Sequence, residues 1–234
     1  MIRTILMLSF WGISILIVGP FLLLYAIAAK DVRPLYHVAT FLAITGVRLA
    51  GISIREVGKE NFNPAQNYIF MSNHVSNLDP PIEIPRIQAR CSVLVKKELF
   101  RIPILGTGMH LARLVPVDRS NREAAIDSVR EGVEVLRTGL NMMIYPEGTR
   151  SADGKLLPFK KGPFHLAMES GVPVLPLTIV GTYEAWPKHR FALKGRVVTI
   201  VYHPAIDPRQ FTDREALMTA VREAIASALP ENKR

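Results

Sequence analysis

The chain has 234 residues, one cysteine and a formal net charge of +9, a length that suits one catalytic domain with an accessory segment. The positive charge favours anionic partners such as phosphate substrates or acidic lipid headgroups. The aromatic–basic interleaving of an RNA-binding sheet is absent, so we expect no nucleic-acid partner, and one cysteine excludes an intrachain disulfide and a cysteine-rich zinc site.

The first predicted element is an apolar helix near the N-terminus. No charged residue occurs from Thr4 to Ala29, and about twenty apolar residues are enough to cross the hydrocarbon core of a bilayer. Gly19-Pro20 could kink or break this helix and leave it as a hairpin in one leaflet. A secretory signal peptide is the alternative, because Ala26-Ile27-Ala28 resembles a cleavage site, although the apolar stretch is longer than the usual signal core.

The next segment predicts a second helix that lies on the membrane or partly in it. Leu35 to Ile54 is mostly apolar, and its charged or chargeable residues are His37 and the basic Arg48. After Arg55 the pattern changes to short apolar runs separated by glycine, proline and asparagine. We therefore expect a membrane anchor over residues 1–54 and a catalytic domain over residues 55–234.

The catalytic segment predicts alternating strands and helices. The strand-like runs are Tyr68–Ser72, Ser92–Lys96, Leu111–Val117, Asn141–Tyr145, Val172–Val180 and Val197–Tyr202. Ser120 with Glu123 forms a capping-box pattern before a helix that ends near Gly139, and Thr212 with Glu215 opens another helix. This alternation predicts an α/β fold, in which helices flank a mostly parallel mixed sheet.

His74 and Asp79 follow the first of these strands. His74 should stand at the carboxyl end of the strand, where open α/β sheets bind their ligands. Histidine titrates near neutrality and can take a proton from an attacking hydroxyl. Asp79 could hold the imidazole tautomer if one helical turn lies between the two residues. The alternative is an ordinary hydrogen-bonded loop histidine.

A basic cluster follows the second strand. Lys96 and Lys97 begin it, and Arg119 follows the next strand-like run, so these cations could bind a phosphate group. A solvated run of charges is the alternative. Cys91, at the start of the second strand, is expected to be a buried and unreactive thiol.

A third cluster, Tyr145 to Ser151, follows another apolar strand. Gly148 permits a close approach of the backbone to a ligand. Arg150 offers a planar guanidinium suited to a phosphate monoester, and Glu147 could hold that guanidinium or bind a substrate hydroxyl. The alternative is an ordinary polar turn.

In order, these clusters resemble the sequence blocks of the glycerolipid acyltransferase family, particularly those of bacterial 1-acylglycerol-3-phosphate acyltransferases. The blocks are His-x4-Asp, Lys-x5-Pro-x2-Gly with Val-Asp-Arg, Pro-Glu-Gly-Thr-Arg-Ser and Val-Pro-Val-Leu-Pro. The resemblance covers Arg55 to Pro204 and includes Phe159-Lys160-Lys161-Gly162 after the third block. Tyr145 stands where the family usually has phenylalanine, and both rings pack alike.

The resemblance implies an enzyme that transfers a fatty acyl group from a thioester to the sn-2 hydroxyl of lysophosphatidic acid, which makes phosphatidic acid. It implies His74 as general base and Asp79 as its orienting partner. The residues implied at the acceptor's phosphate and glycerol are Glu147, Gly148 and Arg150, with Lys97 and Arg119 as helpers.

The same resemblance implies that the reaction needs no cofactor and no metal, and that acyl-CoA or acyl carrier protein brings the acyl group. Membrane lipids are the expected surroundings, and a bacterial inner membrane with the catalytic domain on its cytoplasmic side is the expected location. Two alternatives remain open. The acceptor could be glycerol 3-phosphate or another lysophospholipid, or the chain could be a non-catalytic basic protein that binds membranes.

Overall fold

In the computed structural model of the chain, residues 1–87, 89–118 and 122–234 are described, with residues 122–125 described by their backbone alone. The strands are β1 (Ile52–Val57), β2 (Ile69–Ser72), β3 (Cys91–Lys96), β4 (Val115–Val117), β5 (Asn141–Ile144), β6 (Val174–Val180) and β7 (Arg196–Tyr202). The α-helices are α1 (Ile2–Ala29), α2 (Arg33–Leu49), α3 (Asp79–Glu83), α4 (Leu105–Leu111), α5 (Arg122–Arg137), α6 (Gly162–Ser170), α7 (Thr182–Ala185) and α8 (Arg214–Ser227).

Within the described residues the strands form one seven-stranded sheet in the order β1-β7-β6-β2-β5-β3-β4. The neighbours of β2, β5 and β3 run parallel to them, and β1 is parallel to β7. The pair β6–β7 is antiparallel. The predicted α/β fold with a mostly parallel mixed sheet flanked by helices is confirmed.

Helices cover both faces of the sheet, which explains why its central strands are apolar throughout. Ile69 and Met71 of β2 point to one face, where they meet the cluster that contains Phe164 of α6. Phe70 points to the other face, where Met7 of α1 belongs to the same cluster. Alternate side chains of one strand therefore anchor helices on opposite sides.

The predicted apolar N-terminal helix is one element that continues through Pro20 without a break. It packs against α2, where the Trp11 indole N–H donates to the Leu42 carbonyl at 3.2 Å and Gly46 makes room for the indole ring. Its 28 residues make it long and apolar enough to cross a membrane by length and composition. Much of its surface that faces away from the domain is exposed leucine, isoleucine and phenylalanine.

The second predicted helix is shorter than expected. It ends at Leu49, not Ile54, and Gly51 turns the chain with a positive φ of 76°. The next residues form the edge strand β1, paired with β7 from Ile52 to Val57. The expectation of helix there was wrong, because buried Ile52 and half-buried Ile54 alternate with exposed Ser53 and Arg55 in the period of a strand.

Two further boundaries differ from the sequence prediction. Leu111 ends α4, and the strand predicted from that residue begins at Val115, since left-handed Arg113, with φ 60°, separates the two elements. The last helix is capped by Asp213, whose carboxylate accepts the Ala216 N–H at 2.8 Å. Thr212 is therefore not its N-cap.

The helix predicted from the capping-box pattern is present as α5, which ends at Arg137. Ser120 lies outside the described residues, as does the side chain of Glu123. The capping contact itself therefore stays a prediction.

Candidate active site

The predicted site residues follow strands that are neighbours in the sheet. His74 comes after β2, the Glu147–Arg150 turn comes after β5, and Lys97 comes after β3. Because β2 pairs in parallel with β5, and β5 with β3, the carboxyl ends of all three strands lie at one edge of the sheet. Topology therefore brings three sequence clusters together at the edge where α/β folds bind ligands.

His74 and Asp79 form a hydrogen-bonded pair. The His74 Nδ1 lies 2.8 Å from Asp79 Oδ2, and the same oxygen accepts the N–H groups of Val75 and Ser76, also at 2.8 Å. Asp79 is the first residue of α3 and is fully buried. A carboxylate at Nδ1 places the proton on that nitrogen and leaves Nε2 as an acceptor.

Glu147 joins the histidine loop to a more distant segment. Its Oε1 accepts the His74 backbone N–H at 2.6 Å, and its Oε2 accepts the Leu157 N–H at 2.9 Å. Burial raises the pKa of Glu147 to about 7, although both hydrogen bonds favour the charged form. Since backbone donors occupy both oxygens, the carboxylate serves here as a structural link, and its expected contact with the acceptor remains a proposal.

The turn that contains Arg150 is tied directly to His74. The Ser151 N–H donates to the His74 carbonyl at 2.8 Å, and the Gly148 backbone is left-handed with φ 72°. Lys188 donates to the Arg150 carbonyl at 3.4 Å. Among the residues that the structure describes, none makes a hydrogen bond or an ion pair with the Arg150 guanidinium, which leaves that group available for an anion.

The remaining predicted cations are less well defined. Lys97 lies at the carboxyl end of β3, has a side chain 42% exposed and forms an ion pair with Asp118. Arg119 lies outside the described residues. The structure therefore brings one of these two cations to the site edge, already paired with a carboxylate.

Three side chains that the sequence analysis did not assign support this edge. Asn73 bonds the Ile179 backbone twice, at 3.0 and 2.8 Å, and so connects the end of β2 to β6. The Tyr145 ring stacks on His74 with 4.1 Å between centroids, and its hydroxyl donates to Glu83 at 2.8 Å. Glu83 had a sequence signal, because it lies one helical turn after Asp79 on the same helix face.

Cys91 is buried, as predicted. Burial raises the pKa of its thiol, which keeps the sulfur protonated and unreactive. The buried side chain therefore gives no reason to assign it a chemical role.

Comparison with known proteins gives several matches. A family model described as Acyltransferase matches residues 53–180. A 1-acyl-sn-glycerol-3-phosphate acyltransferase of Limnanthes alba is 39% identical over 165 residues, which cover 70% of this chain and 58% of the relative. A protein of the same name from Borreliella burgdorferi is 32% identical over 183 residues, which cover 77% of this chain and 73% of the relative.

A solved structure matches over almost the whole chain. The crystal structure of the 1-acyl-sn-glycerophosphate (LPA) acyltransferase PlsC from Thermotoga maritima has a TM-score of 0.85 and 29% sequence identity, and the match covers 97% of this chain and 92% of that chain. The chain spans little more than half the length of the plant relatives from Limnanthes alba and Limnanthes douglasii, at 58% and 57%. The matched family model covers more than half of this sequence, so the predicted resemblance is confirmed and the chain belongs to the acyltransferase family.

Proposed function

We propose that this chain transfers a fatty acyl group from an acyl thioester to the sn-2 hydroxyl of 1-acyl-sn-glycerol 3-phosphate, which makes phosphatidic acid. The observation that carries this proposal is the His74–Asp79 pair, joined through the Ser151 N–H to a turn whose Arg150 guanidinium has no described partner. The names of the relatives from plants, Borreliella burgdorferi and Thermotoga maritima support the choice of acceptor.

His74 is the proposed general base. Asp79 holds Nδ1, so Nε2 is the nitrogen that takes the proton of the acceptor hydroxyl as its oxygen attacks the thioester carbonyl. The attack forms the new ester bond and breaks the C–S bond of the donor, whose sulfur leaves as a thiol after it takes the proton back from His74 Nε2. With its side chain 14% exposed, the histidine is held by its surroundings while still open to substrate.

Arg150 is the proposed anchor for the acceptor's phosphate. Its guanidinium can bind two phosphate oxygens at once, and the short link from Ser151 to His74 would fix the distance from phosphate to base. Lys97 and Arg119 are the proposed secondary cations, and Gly148 and Glu147 shape the turn. Holding the phosphate and the hydroxyl in one geometry is expected to supply a large part of the rate acceleration.

The oxyanion formed at the thioester carbonyl needs a hydrogen-bond donor. The N–H groups of Val75 and Ser76 already donate to Asp79, and the Gly148 N–H donates to the Tyr145 carbonyl. A backbone N–H has one proton to donate, so these three groups are committed elsewhere. The donor group for the oxyanion is expected among other N–H groups of the same edge.

We further propose that α1 and α2, within the predicted anchor of residues 1–54, hold the acyltransferase domain in one leaflet of a bacterial inner membrane, on its cytoplasmic side. The domain itself begins with β1 at Ile52, three residues before the predicted boundary at residue 55. The first helix contacts the domain along its length. Thr4 bonds the backbone of Phe191 and Leu193, Met7 is fully buried in the core, and Gly19 packs on Ile104. These contacts also argue against a cleaved signal peptide.

The test is an acyl-transfer assay with purified full-length protein in lipid vesicles. Radiolabelled acyl-CoA and acyl-acyl carrier protein are each offered with lysophosphatidic acid, glycerol 3-phosphate, another lysophospholipid and monoacylglycerol. Labelled phosphatidic acid as the main product supports the proposal, and the better thioester identifies the donor. Faster transfer to another acceptor would overturn the acceptor assignment, and transfer to none would favour a non-catalytic membrane-binding protein.

A further inference from the structure

The proposed reaction leaves one buried carboxyl group beside the histidine without a role. Glu83 is 1% exposed and lies one turn after Asp79 on α3. Burying a charged carboxylate is costly unless donors or cations surround it. The presence of a buried carboxyl group on the same short helix as Asp79 therefore calls for a physical reason.

Glu83 reaches His74 through Tyr145. The Tyr145 hydroxyl donates to Glu83 Oε2 at 2.8 Å. The tyrosine ring then lies against the imidazole, with 4.1 Å between ring centroids and 21° between ring planes. Since Glu83 and Asp79 share α3, these contacts form a closed circuit: α3 holds His74 at Nδ1 through Asp79 and on the ring face through Glu83 and Tyr145.

The two carboxyl groups of this circuit have different surroundings. Asp79 accepts three donors, one from the imidazole and two from backbone N–H groups, and such donors stabilise a carboxylate. Burial and the nearby charge of Asp79 raise the pKa of Glu83 well above its ordinary range. These surroundings favour the neutral form of Glu83, which accepts the Tyr145 hydroxyl.

One hydrogen bond at Nδ1 sets the position of an imidazole but leaves the ring free to tilt about that bond. A stacked ring removes this freedom only if the stacked ring is itself fixed. We propose that Tyr145 and Glu83 are positioning residues that hold the His74 ring in the plane that directs Nε2 at the acceptor hydroxyl. This inference rests on the proposed function. Phenylalanine could stack here but could not bond Glu83.

The central experiment measures kcat and acceptor KM for Tyr145→Phe in the full-length protein in vesicles. Loss of the hydroxyl frees the ring to shift, so we expect kcat to fall about three- to thirtyfold, because small misplacements of a reacting group are costly. The acceptor KM should stay within about twofold, since phosphate binding is untouched. Glu83→Gln keeps an acceptor oxygen for the tyrosine and should stay within about threefold of the original kcat.

The matched control is Tyr202→Phe. Tyr202 is buried and its hydroxyl donates to Glu56 at 2.8 Å, but its ring stacks on Phe62 and not on His74. Its replacement removes the same chemical group from the same kind of pair. We expect its kcat to remain unchanged, which separates positioning from general loss of stability.

The double variant Tyr145→Phe with Glu83→Met removes both polar partners. It therefore avoids the loss of stability that an unpaired buried carboxyl would cause in Tyr145→Phe alone. A kcat as low as that of Tyr145→Phe alone supports positioning. Three results would overturn the inference. They are a kcat in the double variant that returns to the original value, an unchanged kcat in Tyr145→Phe, and a loss of kcat in Tyr202→Phe equal to that in Tyr145→Phe. If the original protein prefers another acceptor, the proposed function fails, and the same variants are compared on that acceptor.

Discussion

At His74, the carboxylate of Asp79 contacts Nδ1, so in the proposed mechanism Nε2 takes the proton of the acceptor hydroxyl. Replacement of His74 by alanine removes the proposed base, and we expect turnover to fall by about two to four orders of magnitude, the usual effect of a positioned base. Asp79→Asn should be less severe, because Tyr145 still supports the ring. Turnover is measured alongside the melting temperature and the circular dichroism spectrum. Near-normal turnover of folded His74→Ala would disprove the mechanism.

At Arg150, the expected function is recognition of phosphate. A bidentate contact between guanidinium and phosphate has a geometry that lysine lacks, so Arg150→Lys should raise the acceptor KM more than the donor KM. The decisive measurement is kcat/KM for lysophosphatidic acid and for phosphate-free monoacylglycerol, in the original protein and in Arg150→Lys. The substitution should lower kcat/KM for lysophosphatidic acid far more than kcat/KM for monoacylglycerol.

The control for Arg150 is Arg130→Lys on the exposed surface of α5, which should change neither value. An equal loss on both acceptors in Arg150→Lys would show that the arginine is structural. Phosphate recognition would then have to come from Lys97 and Arg119.

At Glu147, the raised pKa predicts a dependence of stability on pH. The pKa of this carboxyl is about 7 in the folded chain, against 4.5 ordinarily. Between these values the folded chain retains a proton that the unfolded chain has released, so the contribution of Glu147 to stability falls as pH rises from about 4.5 to 7 and is constant above. The melting temperature of Glu147→Gln relative to the original should therefore rise over that range and then level off. A constant difference would show that Glu147 does not titrate there.

At the scale of elements, the contact between α1 and α2 depends on a glycine. A methyl group at Gly46 would lie about 2.1 Å from the Trp11 indole nitrogen, whereas one at Gly12 would meet nothing within 4 Å. Gly46→Ala should force the helices apart and lower the melting temperature. Gly12→Ala should leave it unchanged or raise it slightly, since alanine favours helix. Equal melting temperatures for the two variants in the same detergent would contradict the proposed close packing.

The sequence predicted much of the architecture because periodicity and strand order depend on local patterns. The runs that became β2, β5 and β6 are apolar and end in polar clusters, and a parallel arrangement then gathers His74 and Arg150 at one edge. Strand β1 was missed because its partner β7 lies about 140 residues later. No local pattern indicates a partner at that distance, and the preceding helix made the segment look like its continuation.

The sequence could predict which residues form the site but not all the contacts between them. The spacing of His74 and Asp79 indicated their pair, because five residues allow one turn between them. The use of both Glu147 oxygens by backbone N–H groups depends on where Leu157 passes, which only the folded chain decides. The stacking of Tyr145 on His74 likewise joins two segments from different strands, and no pattern within either segment specifies it.

At the scale of the whole molecule, the first helix contacts the domain on one side and exposes apolar side chains on the other. Leu16 and Phe21 are 67% and 71% exposed, which a protein surrounded by water rarely tolerates over a large patch. Replacing both by aspartate places two charges where we expect hydrocarbon, at a cost of about 2.5–3.5 kcal/mol each at the bilayer centre and less near the interface. The variant should therefore leave the membrane without losing contacts that hold the fold.

The measurement is sedimentation of full-length protein with vesicles, followed by two activity assays. The original protein should pellet with the vesicles, and the double aspartate variant should remain mostly in the supernatant. Activity should fall strongly on long-chain lysophosphatidic acid embedded in vesicles, yet persist on a short-chain analogue dissolved as monomers, because the site itself is intact. Ile126→Asp, on the exposed surface of α5, is the control and should sediment like the original. Original protein in the soluble fraction without detergent, or a variant that still pellets fully, would show that this helix face does not hold the chain on the membrane.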